Sequence, residues 1–231
     1  MRVLIACERF GVVRRAFASR GHYAVSVDLA AAEDDAPWGS PYSGIGQHYE
    51  GDVFDFLRMG ETGEMPGSWD LVIAHPECTY LSSSGLHWNK RRPRREQLTE
   101  AALAFGLKLW ALPVGKLALE NPRGRLTKVL REGGAYIQTI QPFQYGADAS
   151  KATCLALKGL PPLRPTAFSE PRAVNPVGTD IFGTPHGTPR WKNQTNSGQN
   201  RLTPSPQRAM ERARTYPGIA EAMAEQWGAT A

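Results

Sequence analysis

RVLIACERFGVVRRAFASRGHYAVSVDL, residues 2–29, is the stretch that decides the fold. VLIAC at 3–7 is a short apolar run with β-branched residues, which reads as a buried strand. VVRRAFASRG at 12–21 has helical spacing and stops at Gly21, a helix C-cap residue. AVSVDL at 24–29 reads as a second strand and carries Asp28 at its end. Strand, helix, strand within 28 residues is the unit of a parallel sheet.

The same rhythm continues outward. DLVIAHP (70–76), KLALENP (116–122) and TCLALKG (153–159) read as further strands, the second of these stopped by Pro122. QLTEAALAFGLKLWAL (97–112) is an amphipathic helix, and Arg125–Glu132 reads as another. The apolar runs are nearly continuous, as expected where both faces of a sheet are covered. The expected fold is α/β: a Rossmann-like open sheet of mostly parallel strands flanked by helices, with a small irregular insert before the C-terminal helices. In such sheets ligands bind beyond the carboxyl ends of the strands.

Two stretches break the rhythm. Residues 30–50 are rich in Asp, Gly, Pro and Ser and read as a long loop. Residues 160–206 hold nine of the eighteen prolines, show no periodicity and lean basic through Arg164, Arg172, Arg190, Lys192 and Arg201. They read either as an extended connector or as a minimal nucleic-acid-reading insert. PSPQRAMERARTY and PGIAEAMAEQWG then return to helical pattern, each opened by proline. The expected division is 1–159 as the main domain, 160–206 as the insert, and 207–231 as a C-terminal helical part completing the main domain.

Composition sets outer bounds. The 231 residues are 41% hydrophobic and 21% charged, a globular composition. No run is long enough to span a membrane, and the N-terminus lacks the apolar core of a signal peptide, so a cytoplasmic setting is expected. The three cysteines, Cys7, Cys78 and Cys154, are too few and too widely spaced for a disulfide framework or a zinc cluster, and no metal is expected. The net charge of +5 favours a polyanionic partner.

Three segments carry chemistry. In AHPECTYLSSSG (74–85) a strand runs into Pro76, and Cys78 follows where the sheet ends. A thiol there faces the ligand crevice, and His75 and the basic run after Trp88 are neighbours that would favour its thiolate. In LALENPRG (117–124), Glu120 ends a strand, and a buried carboxylate in that position tends towards a raised pKa and can carry a proton. In ACERFG (6–11) a glycine-bearing turn follows the first strand; Asp28 and then Asp52, after a short strand, follow in order. An acid after strand two is placed to hold ribose hydroxyls.

In this order the chain resembles the DNA cytosine-C5 methyltransferases, including short phage-encoded methyltransferase-like proteins. The matching residues are Ala6, Cys7, Glu8, Phe10 and Gly11 in the first turn, Asp28, Asp52, Pro76 to Cys78, and Glu120 with Asn121. Tyr145, Gly146 and Lys151 match the family's later Tyr-Gly segment and basic residue. The resemblance covers about residues 2–158. The chain departs from the family in four places. The first turn has one glycine; Glu77 replaces the second proline before the cysteine; Pro122 follows the Glu-Asn pair; and Lys151 stands where arginine is usual.

The resemblance implies a catalytic set of Cys78, Glu120 and Lys151. It implies S-adenosylmethionine as cofactor, held by Ala6, Cys7, Glu8, Phe10, Gly11, Asp28, Leu29, Asp52, Val53, His75 and Pro76. The implied partner is DNA with a flipped cytosine, or a single strand, in a bacterial or phage-infected cell. HWNKRRPRRE (87–96) places five basic residues and Trp88 next to the nucleophile loop. Ser82, Ser83, Ser84 and Gly85 then supply a flexible loop, with Ser82, Ser84, Gly85, Trp88, Lys90, Arg91, Arg92, Arg94 and Arg95 as the DNA-binding set. Other readings stay open: a different one-carbon donor giving hydroxymethylation, an RNA cytosine, or a relative that binds nucleic acid without reacting. Amino-group methyltransferases carry an Asn/Asp-Pro-Pro-aromatic segment, unlike His75-Pro76-Glu77-Cys78.

Overall fold

The computed structural model describes residues 1–36, 38, 46–61, 68–171, 173–179, 181–182, 185–195 and 206–229. Seven strands form one sheet: β1 (Arg2–Ala6), β2 (Tyr23–Asp28), β3 (Gln47–Glu50), β4 (Leu71–Ala74), β5 (Leu117–Asn121), β6 (Tyr136–Ile140) and β7 (Thr153–Lys158). Their order is β3-β2-β1-β4-β5-β7-β6. The first five are mutually parallel, and β7 runs antiparallel to both β5 and β6. The sheet is thus the expected Rossmann-like, mostly parallel one. The topological switch lies between β1 and β4, so the crevice opens beyond Ala6 and Ala74.

Side chains of β1 alternate between two cores. Val3 and Ile5 face one cluster with Val13, Phe17, Ile219, Met223 and Trp227; Leu4 and Ala6 face the other with Phe56, Leu103, Leu109 and Leu126. The first cluster joins the sheet to α1 (Val12–Ala18) and α7 (Pro217–Gly228). The second joins it to α2 (Val53–Glu61), α4 (Arg95–Trp110) and α5 (Arg125–Glu132). A one-turn helix, α3 (Ser83–Leu86), follows β4, and α6 (Pro206–Ala213) precedes α7.

Several expectations are corrected here. Residues 30–50 are not all loop: β3 pairs with β2 through Gln47 to Glu50. The residues 160–206 are not without regular structure, since β8 (Ala173–Thr179) and β9 (Pro185–Arg190) form an antiparallel ribbon. Prolines at 176, 185 and 189 masked it in the sequence, because an isolated two-stranded ribbon tolerates proline at its free edges. The α1 helix ends at Ala18, and Gly21 (φ +80°) closes the turn beyond it by donating to the Ala18 carbonyl. Arg172 and Arg201 lie outside the described residues.

Candidate active site

The crevice has two halves. The first is built at the ends of β1, β2 and β3. Cys7 leaves β1 in the left-handed region (φ 61°), and its N–H donates to the Val27 carbonyl at 2.7 Å. Glu8 is 4% exposed, and its carboxylate accepts from the Val13 and Arg14 amides at 2.7 and 3.1 Å. It therefore caps the first turn of α1 and is spent on the fold. Gly11 (φ +64°) turns the chain into α1. Phe10 is buried, and the Arg214 guanidinium lies over its ring at 4.6 Å.

Asp28 accepts from the Ala30 amide at 3.0 Å, and Asp52 accepts from the Phe54 and Asp55 amides at 2.8 and 3.2 Å. Each uses one carboxylate oxygen; the other makes no hydrogen bond among the described residues. Asp52 therefore starts α2, which buries Val53. Leu29 is 76% exposed beside Asp28. The Cys7 thiol is pushed up to about 12 by burial first, and then by the nearby charges of Asp28 and Asp52.

Beneath this half runs a buried polar chain. Arg14 is fully buried, pairs with Asp34 at 2.5 Å and donates to Ser26 Oγ at 2.8 Å. Arg15 also pairs with Asp34. Ser26 Oγ lies 2.8 Å from His48 Nδ1, and His48 Nε2 meets the Ala30 carbonyl at 2.9 Å. The loop after β2 is thereby tied to α1 and β3.

The second half is built at the ends of β4, β5 and β7. His75 leaves β4 with its N–H on the Ala6 carbonyl at 2.9 Å, and the buried Pro76 follows. Asn121 Nδ2 donates to the Pro76 carbonyl at 2.9 Å, which fixes the start of the Cys78 loop to β5. Leu81 and Ser82 amides then close back on the Cys78 carbonyl at 3.1 and 2.9 Å. Ser82 caps α3 by accepting from the Gly85 amide, Ser83 donates to the Arg123 carbonyl, and Ser82 bridges Gly124. A Cβ on Gly124 would collide with the Leu81 carbonyl, and one on Gly85 with the Thr79 carbonyl. The Ser82–Gly85 stretch is therefore a pinned turn rather than the flexible loop expected from its composition.

His75 Nδ1 lies 3.3 Å from Glu120 Oε2, with the side chains 7% and 19% exposed. Both line a cavity of about 10 Å³ together with Lys151, Thr153 and Tyr216. That is the room of one water. Burial pushes the Glu120 carboxyl up, but the His75 hydrogen bond and Lys151 outweigh it and hold it below the ordinary carboxylate value. This corrects the expected rise, which counted burial without the partners.

Cys78 is half-buried. Burial and the Glu120 charge push its thiol up, with a small contribution from Glu77, while Lys151 and Arg212 pull it down without prevailing. The expected thiolate-favouring neighbours are corrected accordingly: the cations that act are Lys151 and Arg212, not the run after Trp88. Lys151 Nζ donates to the Arg212 carbonyl at 2.5 Å. Arg212 and the residues after it lay hidden from sequence reasoning, because 61 residues separate them from Lys151.

The basic run splits in two. Arg92 and Arg91 sit over the Trp88 ring at 4.8 and 5.7 Å, and Trp88 is 36% exposed. Arg95 turns inward, over Tyr80 at 4.9 Å and onto the Thr79 carbonyl at 3.0 Å. Lys90 and Arg94 are exposed beside the Cys78 loop.

No protein-family model matches the chain, and no curated protein matches it. Solved structures similar to it include a chain described as a candidate DNA modification methyltransferase encoded within an E. coli prophage, at 16% identity and TM-score 0.46 over 78% of this chain and 57% of that one. The Entamoeba histolytica methyltransferase EhMeth is similar at 16% identity and TM-score 0.43, over 74% and 58%. The S. pombe Dnmt2 methyltransferase is similar at 15% identity and TM-score 0.40, over 70% and 51%. This chain thus spans a little over half the length of each. Among the described residues no helix is long and apolar enough to cross a membrane.

Proposed function

We propose that the protein is a methyltransferase, and more particularly one that acts on C5 of cytosine in DNA through Cys78. The observation that carries this reading is the convergence of Cys78, Glu120 and Lys151, from three separate chain segments, within electrostatic reach of one another at the sheet's carboxyl end. The order of these residues along the chain is the order in the cytosine-C5 family they resemble.

The first half of the crevice fits S-adenosylmethionine in part. Asp28 and Asp52 each keep a carboxylate oxygen for ribose or adenine, and the exposed Leu29 offers an apolar surface to a purine ring. Ala6, Cys7, Phe10, Gly11 and Val53 would form the walls, with His75 and Pro76 meeting them from the second half. Glu8 is committed to α1 and would not take part. When bound, the cofactor supplies the methyl group.

The chain's own residues account for the remaining chemistry. C6 of cytosine is a weak electrophile; bonding Cys78 Sγ to it makes C5 nucleophilic. Glu120 faces the N3 and N4 edge and stabilises the base as charge develops there. Lys151 lowers the cost of ionising Cys78 and screens the anionic charge that follows. After transfer, loss of the C5 proton and breakage of the S–C6 bond restore the base and the thiol. The target carbon is inaccessible in a stacked duplex, so the base must be flipped or single-stranded. Lys90, Arg91, Arg92 and Arg94 would hold phosphates, and Trp88 would lie against a sugar or base. Ser82, Ser84, Gly85 and Arg95 shape the turn that presents them. The ribbon β8–β9 is rooted beside Lys151, since Asn193 pairs with the Ser150 backbone at 3.1 and 2.9 Å, and it is the candidate DNA-recognition segment.

The test is covalent trapping. Protein, S-adenosylmethionine and duplex DNA carrying 5-fluorocytosine should give a denaturation-resistant adduct that Cys78→Ser does not form. An adduct only with a folate donor would turn the reading to hydroxymethylation. DNA binding without any adduct would leave a binding protein.

A further inference from the structure

We propose that His75 is a positioning residue that lends its proton to Glu120, so that the two form one proton store facing N3 of the target base. The proposal rests on the cytosine reading above and assigns it a second residue.

Three observations support it. His75 Nδ1 faces Glu120 Oε2 at 3.3 Å, and the imidazole is almost wholly buried. His75 Nε2 is also buried and has no partner among the described residues, while the ring lines the cavity shared with Glu120 and Lys151. A buried ring nitrogen left without a partner is costly, and such a group calls for a ligand. Third, Glu120 is held as a carboxylate, so by itself it has no proton to give when Cys78 adds to C6. Lys151 is already bonded to the Arg212 carbonyl. Histidine is the residue type that both holds and releases a proton near neutral pH.

The step balances as follows. The Cys78 thiol gives its own proton to solvent and Sγ bonds to C6; the C5–C6 double bond opens and its electron pair passes through C4 towards N3, which takes the proton that moves from His75 Nδ1 to the Glu120 carboxylate. When the S–C6 bond breaks, the same proton returns by the same route. Nothing is oxidised or reduced. The charged or titratable groups facing the pair are Lys151 from the β6–β7 connection, Cys78 from the loop after β4, and Arg214 and Tyr216 from the segment between α6 and α7.

The experiment is single-turnover adduct formation on the 5-fluorocytosine duplex at a series of pH values from acid to alkaline. The full-length protein is compared with His75→Gln, which keeps a hydrogen-bond donor but cannot titrate. Thiol ionisation raises the rate with pH, and loss of the lent proton opposes it, so the wild-type rate should level off on the alkaline side. His75→Gln should be slower by about 10²-fold with unchanged DNA affinity and should keep rising where wild type levels off. A His75→Gln profile that matches wild type in rate and shape overturns the proposal.

A second readout needs neither DNA nor cofactor. The pH profile of Cys78 alkylation by iodoacetamide should carry a step where Glu120 ionises, because the thiol senses that charge, and His75→Gln should move the step to higher pH, because His75 helps hold Glu120 ionised. Identical alkylation profiles also overturn the proposal. No adduct from wild type overturns the loan to N3 together with the cytosine reading; an alkylation step that survives then places the failure in the substrate, not in the pair.

Discussion

Cys7 and Cys78 leave adjacent parallel strands, β1 and β4, at the same end of the same sheet, yet their surroundings differ. Cys7 is enclosed with two carboxylates, Asp28 and Asp52, and every neighbour that acts on it pushes the thiol up, to about 12. Cys78 is half-buried and also faces a carboxylate, Glu120, but Lys151 and Arg212 oppose them. One half of the crevice is acidic; the other has mixed charge, as the proposed reaction through Cys78 requires. Position at a strand end makes a cysteine available, and the charges around it decide whether it can act.

The largest expected effect separates the two thiols. Cys78→Ser should abolish 5-fluorocytosine adduct formation, and Cys7→Ser should leave its rate within about twofold. Trapping by Cys7 in the Cys78→Ser protein would break the comparison.

Next comes the scaffold of the acidic half. Burial pushes the Asp34 carboxyl up, but Arg14 and Arg15 outweigh it and hold it below the ordinary carboxylate value. A depressed folded-state value means that the pair stabilises the fold above the ordinary carboxylate range. That stability is lost as pH falls through this range towards the folded value. Asp34→Asn should cost about 2–3 kcal/mol in urea unfolding at neutral pH, since it leaves the Arg14 charge buried and only partly satisfied. The same variant should flatten the acid limb of stability against pH.

Smaller effects sharpen the contrast. Lys151→Met should slow iodoacetamide alkylation of Cys78 by about tenfold near neutral pH, because it removes the stronger opposing charge. Arg212→Gln should do the same more weakly, by about twofold, since a solvent-exposed charge is well screened. Smallest of all, Asp52→Asn should speed alkylation of Cys7 by about twofold and leave Cys78 unchanged.

Much of this was legible in the residues. The apolar runs of β1, β2, β4, β5 and β7 were readable because both sheet faces are covered, and Asp28, Cys78 and Glu120 stood out because polar residues end those runs. The strand β6, YIQTI, was missed, being an edge strand with exposed Tyr136 and Thr139 that gives no continuous apolar signal. The ribbon β8–β9 was missed for its prolines and glycines. Glu8 looked like a crevice residue from its place in the turn, and only the position of α1 turned it into a helix cap.

The sequence by itself determined the alternation of strands and helices, the crevice at the strand ends and the order of the residues that face it. Local patterning suffices for those, since burial and turn formation act over a few neighbouring residues. Only the tertiary structure decided that β7 runs antiparallel, that His75 meets Glu120, that Glu120 is held ionised, and that Arg212 closes over Lys151. These depend on distances between residues far apart in the chain. Proton affinity follows from burial and from charges within a few ångströms, and neither is set until the chain has folded.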